Sequence, residues 1–437
     1  MSFNRALGPF DATMVVIGGI IGSGIFINPY LVAQELDTPA LVLAAWVAGG
    51  AVAIAGAFAY AELGSLLPRA GGQYVYLSHA WHPLVGFLYG WALLYMIETG
   101  AIAAVAMVFA EYTLRLTGSA GASPRPLAVA AIVVVTAVNY IGVKPGSRVL
   151  NVFVVLKVAA LAVLILFAWF QPGAPGWLSD ARVDDSPSGF LAFGTSLIAI
   201  LFAYGGWQVT NYIAEEIRDP ERNLPRALII GTLAVVVIYL LVNVAYLRTL
   251  GLAGLAGTTT PAAETAGRWF GARGETFVAA AIAISTFGFL NLSVLAPSRV
   301  YYAMAADGAF FPALSRLHSR YQTPSAAILL QSAWAIALAL TGKYGDLLDT
   351  VVFADWIFFG LTVAGLFVLR KKLGQPPGYR TPGYPWMPAL FVLVAVVVVF
   401  STILKSPGRS AMGAGLLLAG IPIYYLFKSR RNGAMGQ

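Results

Sequence analysis

The chain has no cysteine and only three histidines in its 437 residues. Without thiols, disulfides, thiolate metal sites and cysteine nucleophiles are excluded. His79, His82 and His318 fall in loops with no carboxylate partners at ligand spacing, so no metal centre is expected. Charge is scarce as well: Asp, Glu, Lys and Arg make up 11% of the chain, against about 25% in soluble domains. No G-x-x-x-x-G-K-[ST] stretch occurs, which removes the phosphate-cradling motif of ATP-driven machines. The glycines of residues 18–24 follow no strand of a βαβ unit, so no dinucleotide is expected, nor any other cofactor.

What remains is apolar. Hydrophobic residues form 59% of the chain, in stretches near 20 residues long separated by short polar loops. That pattern predicts an all-α polytopic membrane protein. Twelve spans are expected, at about 10–34, 40–66, 84–116, 126–142, 148–171, 190–215, 225–250, 276–305, 324–341, 347–369, 385–405 and 411–428. Connections are short, so residues 1–437 read as one integral domain with the lipid bilayer as its solvent. The charged start at residues 1–5 runs into the first span with no small-residue cleavage site, so no cleaved leader is expected. The formal charge is +8. Of the 27 Lys and Arg, seventeen fall on the side of the N-terminus and nine opposite. This bias places both termini in the cytoplasm, with the cell (inner) membrane as location. It makes the basic charge a topology signal, with anionic lipid as a lesser role, rather than a nucleic-acid surface.

The chain is organised around residues 15–30, VVIGGIIGSGIFINPY, whose apolar run is interrupted by Gly22-Ser23-Gly24. Glycine is a poor helix former, by about 1 kcal/mol relative to alanine. Bare backbone inside hydrocarbon is tolerated only where it is buried in protein or lines a wet cavity. The sixth span carries a matching interruption at Tyr204-Gly205-Gly206-Trp207. Laying spans one to five (about 10–171) over six to ten (about 190–369) superposes the two breaks, as an inverted repeat requires. Two extra helices, about 385–428, then fall outside the repeat. A half-helix beginning after Gly24 offers N–H groups and a positive dipole end, which favour a carboxylate. A half-helix ending near Ala203 offers carbonyls and a negative end, which favour an amine. Together they describe a site for a zwitterion such as an α-amino acid. Close helix packing is the alternative for either break, since Gly18 and Gly22 form a G-x-x-x-G.

Few ionisable residues lie inside the spans. Lys157 falls about nine residues beyond Arg148, roughly 14 Å into the membrane at 1.5 Å per residue. Glu98 sits about fourteen residues into the long third span, where it is either a proton carrier or a neutral hydrogen-bonded core residue. Asp11 and Glu62 read as capping or ion-pairing groups, and Glu111 with Arg115 as an i,i+4 pair. The charged run at residues 215–222, EEIRDPER, reads as a solvated helix end with local ion pairs, and Pro225 as part of the next helix's first turn.

At this point a resemblance becomes specific. Residues 20–26, IIGSGIF, followed by YAELG at 60–64 and GGQY at 71–74, resemble the amino acid–polyamine–organocation superfamily. FAYGGW at 202–207, Glu215-Glu216, RNLP at 222–225 and Pro297-Ser298-Arg299 are similar to its L-type amino acid transporter branch. The resemblance implies a five-plus-five inverted repeat (leucine-transporter-like fold) that moves amino acids by alternating access. It assigns Ile21, Gly22, Ser23, Gly24 and Ile25 to the substrate carboxylate. It assigns Phe202, Ala203, Tyr204 and Gly205 to the amine and side chain, with Phe202 as an aromatic gate and Tyr239 near the pocket. In related carriers a sodium ion between spans one, five and eight braces the unwound backbone. The ammonium of Lys157 is implied to take that place, as a static brace or a proton-coupling group. The expectation is a sodium-independent exchanger of neutral L-amino acids. A proton-coupled symporter using Lys157 or Glu98 is the alternative, and an amino acid sensor without transport is a further one. Branch members that pair with a single-span glycoprotein use a cysteine between spans three and four. Residues 117–126 have none, so no disulfide-linked accessory subunit is expected.

Overall fold

The computed structural model describes residues 3–119, 121–179, 189–341, 344–376 and 378–435. The first span is two helices, α1 (Pro9–Ile20) and α2 (Gly24–Glu35), bent by 42° at the break between them. After α3 (Pro39–Leu66) and the short α4 (Gln73–Ala80), the third span runs through α5 (Pro83–Ala92), a π-helical turn (Leu93–Ile97) and α6 (Glu98–Leu116). Helices α7 (Arg125–Tyr140) and α8 (Val143–Phe170) follow. The sixth span is α9 (Gly189–Ala203), a three-residue turn, and a 3-10 stretch (Trp207–Glu216). Next come α10 (Pro220–Gly257), α11 (Pro261–Phe270), α12 (Ala272–Leu295) and α13 (Ser298–Ala306). The chain then runs through α14 (Ser325–Thr341), α15 (Tyr344–Leu373), α16 (Trp386–Lys405) and α17 (Pro407–Met435).

Among the described residues, nine helical runs are long and apolar enough to cross a bilayer, and the bent pair α1–α2 makes ten. The shorter apolar helices α7 and α14 occupy the expected fourth and ninth spans. The protein is thus an all-α, multi-pass membrane protein. Between the expected fifth and sixth spans, residues 180–188 lie outside the described set.

The interior is built around the two broken spans. Helix α1 lies against α10, α8 and the 3-10 stretch, while α2 lies against α9 and α10. Helix α12 joins α6 to α8 behind them. Asp11 Oδ2 accepts from Gly8 N at 3.0 Å, capping α1, and from Lys144 Nζ at 2.7 Å, which ties α1 to α8. Glu62, at the end of α3, accepts both Arg370 Nε and Nη2 at 2.6 Å, and its Oε2 also accepts Thr381 N at 2.7 Å.

Three features differ from the sequence reading. Glu216 is not solvated: it is fully buried and paired with the equally buried Arg299, at 2.6 Å to Nε and 3.3 Å to Nη2. The cause is the turn at Gly206, after which the tight 3-10 stretch carries the chain inward against α13. There the N-terminal segment clamps it. Leu7 N donates to Glu216 O and Arg218 N to Leu7 O, both at 2.9 Å, and Phe3 lies over the Arg299 guanidinium. Helix α10 begins at Pro220, one turn earlier than expected, so Pro225 lies inside it. Arg115 lies over the Tyr112 ring, and no Glu111–Arg115 ion pair forms among the described residues.

Candidate functional site

The two breaks meet backbone to backbone. A Cβ on Gly19 would lie 2.5 Å from Gly206 O, and one on Gly206 would lie 2.1 Å from Gly19 O. Only hydrogen at both positions permits this crossing. Gly206 also has φ of 109°, a conformation side chains rarely adopt. On the other side of the crossing, a Cβ on Gly24 would sit 3.1 Å from the Cα of Ala203. The first residue of α2 therefore abuts the last residue of α9.

This contact sets opposite helix ends side by side. The N–H groups of Gly24 and Ile25 precede the first full turn of α2 and have no carbonyl four residues back within it. Ser23, the N-cap, makes no side-chain capping bond, so it does not cover them. Ile21, Gly22 and Ser23 form the unwound linker. At the end of α9, Ile200 O and Phe202 O accept from Tyr204 N and Gly205 N, at 3.0 and 3.2 Å. Ala203 O faces Tyr239. A positive and a negative dipole end thus lie within one side chain's reach of each other.

Side chains from three further helices, α8, α10 and α12, hold the unwound backbone. Tyr239 Oη, on α10, lies 3.0 Å from Ile20 O and 3.3 Å from Ala203 O, so one hydroxyl bridges both breaks. Lys157 Nζ, on α8 and fully buried, donates to Gly18 O at 3.0 Å and to Ile21 O. Ser285 Oγ, on α12, reaches Gly22 O at 3.3 Å. Tyr246 Oη reaches Ile25 O at 3.4 Å, and Asn28 Nδ2 on α2 donates to Ala199 O of α9 at 2.8 Å. Tyr204 turns its ring towards α3, with its hydroxyl on Trp46 O at 3.3 Å, so its backbone faces the break. Phe202 is half-exposed at the edge of the site.

Glu98 is elsewhere. It is buried at the start of α6 beside Ser293, and its electrostatic neighbours are Asp355, Tyr212 and Tyr301. Tyr212 in turn shares a short hydrogen bond with Tyr89. Glu98 therefore belongs to a buried acid–tyrosine cluster between α6, α13, α15 and the 3-10 stretch, apart from the backbone crossing.

Sequence reasoning missed Ser285, Tyr246, Asn28 and Gln208, whose Oε1 accepts Gly206 N at 3.0 Å. A polar residue inside an apolar run was the available signal for the first three. Which carbonyl each would meet depends on how the helices pack.

A family model described as amino acid permease matches residues 7–427. The chain is 31% identical over 434 residues to the serine/threonine exchanger SteT of Bacillus subtilis (strain 168), covering 98% of each chain. It is 32% identical over 443 residues to the human b(0,+)-type amino acid transporter 1, covering 98% of this chain and 88% of that one. It is 30% identical over 437 residues to the human large neutral amino acids transporter small subunit 2, covering 98% of this chain and 81% of the relative.

Proposed function

The chain belongs to the amino acid permease family, within the amino acid–polyamine–organocation superfamily, and on that premise we propose that it exchanges neutral L-amino acids across the membrane without sodium. The observation that carries the proposal is the abutment of α2's first residue on α9's last one. A substrate carboxylate accepts from the N–H groups around Ser23, Gly24 and Ile25, and the ammonium donates to the carbonyls ending α9 at Phe202 and Ala203. Neither charge then needs a charged side chain as partner. The half-exposed Phe202 ring swings over the bound side chain as a gate. Lys157 braces the break with an ammonium in place of a bound cation. The exchanger and transporter named among the relatives support the class of solute.

Residues 1–437 act as one transport domain, with repeats at about 10–171 and 190–369. Both termini lie in the cytoplasm, following the basic bias of their face. The protein works without a covalently attached subunit, since it has no cysteine to attach one. During transport the clamp of Leu7, Glu216 and Arg299 closes the cytoplasmic face while the substrate site opens outward.

The test is flux in proteoliposomes. Labelled serine, alanine or leucine enters only when unlabelled amino acid is trapped inside, and replacing sodium at constant pH leaves the rate unchanged. Uptake driven by a pH gradient into empty vesicles transfers the mechanism to proton symport, with Lys157 or Glu98 as carrier. Binding with no flux under any gradient makes the protein a sensor.

A further inference from the structure

The segment before α1 is an extended strap across the ends of several helices. Two of its side chains are buried, Phe3 and Leu7, while Asn4 and Arg5 between them are exposed. Leu7 forms a single parallel bridge with Ile217, just past the 3-10 stretch. Arg218 Nε adds one bond to Arg5 O at 3.3 Å. A lone pair of short extended segments is marginally stable in water, so the strap depends on its two buried side chains.

Phe3 is the anchor farther from α1. It packs in an apolar seat with Ala70, in the turn between α3 and α4, and Leu317, in the segment between α13 and α14. Its ring meets Tyr302 of α13 edge-on, 4.9 Å between centroids, and the Arg299 guanidinium stands 5.9 Å from it. Leu7, at the other end, is joined to α1 through Gly8 alone. Helix α1 has a second set of ties, all to α8. Asp11 accepts from Lys144 Nζ and Asn151 Nδ2, at 2.7 Å each, and Lys157 Nζ donates to Gly18 O. On the α8 side α1 is thus held by polar bonds along its length. On the side of the 3-10 stretch and α13, its first residues are held by the strap.

For a solute to leave the crossing towards the N-terminal face, α1 must part from the 3-10 stretch and α13, and the strap spans that seam. We infer that residues 3–7 are a releasable latch: the Phe3 ring leaves its seat whenever the cytoplasmic side opens, and while seated it holds that side closed. The latch rests on the alternating-access reading above and names the part of the chain that regulates it. Burying one phenylalanine shifts an equilibrium by about ten- to hundredfold. That biases a two-state equilibrium without locking it, since full reversal takes about 10⁴-fold.

The chain's lack of cysteine lets single introduced thiols report the opening. Ser298→Cys places one at the buried start of α13, beside Arg299, and Ala110→Cys places a control in a separate buried cluster of α6, α7, α12 and α14. Maleimide labelling of the full-length protein in one detergent compares each reporter with and without Phe3→Ala. The latch requires Phe3→Ala to speed labelling at residue 298 by about tenfold or more while residue 110 stays protected. Phe3→Leu, which refills much of the seat, must label more slowly at residue 298 than Phe3→Ala. Should Phe3→Ala not be monodisperse, Leu7→Pro, which removes the N–H given to Glu216 O, must show the same contrast. Equal labelling at residue 298 with and without Phe3 overturns the inference. Faster labelling at both reporters is general loosening and overturns it as well. The readout needs no flux, so the contrast at residue 298 supports the latch even where proteoliposomes show no exchange.

Discussion

Alanine at Gly19 separates helix propensity from the backbone crossing. Gly19 is the penultimate residue of α1 and Gly194 lies within α9, so in both positions alanine favours the helix by roughly 0.5–1 kcal/mol. Their surroundings differ. A Cβ at Gly194 meets nothing within 4 Å, whereas at Gly19 it lies 2.5 Å from Gly206 O and 3.4 Å from Leu292 Cδ2. The nearer obstacle is a carbonyl held in a turn, which no rotamer change can move. Overpacking of this kind costs about 1–3 kcal/mol. Because the propensity gain is nearly common to both variants, their difference isolates that cost. Gly194→Ala should be as stable as the unmodified protein or slightly more so. Gly19→Ala should be less stable than Gly194→Ala by about 1–3 kcal/mol. Parallel denaturant unfolding in one detergent measures the gap. Exchange in proteoliposomes should fall in Gly19→Ala and persist in Gly194→Ala, because separating the spans also separates Gly24 from Ala203. Equal stability and equal exchange in the two variants would refute the crossing.

Other perturbations probe the surrounding supports. Tyr239→Phe takes a hydroxyl shared by two buried carbonyls, a loss of about 1–3 kcal/mol, so substrate affinity should weaken by about 5- to 150-fold in competition assays. Unchanged affinity would remove Tyr239 from the site. Glu216→Gln leaves a buried guanidinium uncompensated and should cost about 3–5 kcal/mol. Pairing Glu216→Leu with Arg299→Leu should recover most of that loss in thermal unfolding, and a double variant no better than the single one would contradict the pairing. Lys157→Met strips the donor from Gly18 O and Ile21 O and should abolish exchange while leaving a folded, destabilised protein. Full exchange by that variant would show that the brace is dispensable.

Much of this architecture was written locally. Apolar runs near the bilayer length, scarce charge and a one-sided basic bias determine a polytopic helical protein, because a backbone in hydrocarbon must satisfy itself. The glycines at 18–24 and at 205–206 mark both breaks, since helix propensity is a property of neighbouring residues. Lys157 was legible as a candidate because its depth follows from helical rise alone. Tertiary structure decided which groups meet. That Gly19 touches Gly206, that one hydroxyl of Tyr239 serves Ile20 and Ala203, and that Ser285 supports Gly22 depend on how distant spans cross. Short-range pattern carries no record of those crossings. The same reason explains Glu216, whose charged neighbours suggest water although the turn at Gly206 carries it inward to Arg299. Local chemistry determined where the helices must break, and only the three-dimensional packing decided what the broken ends face.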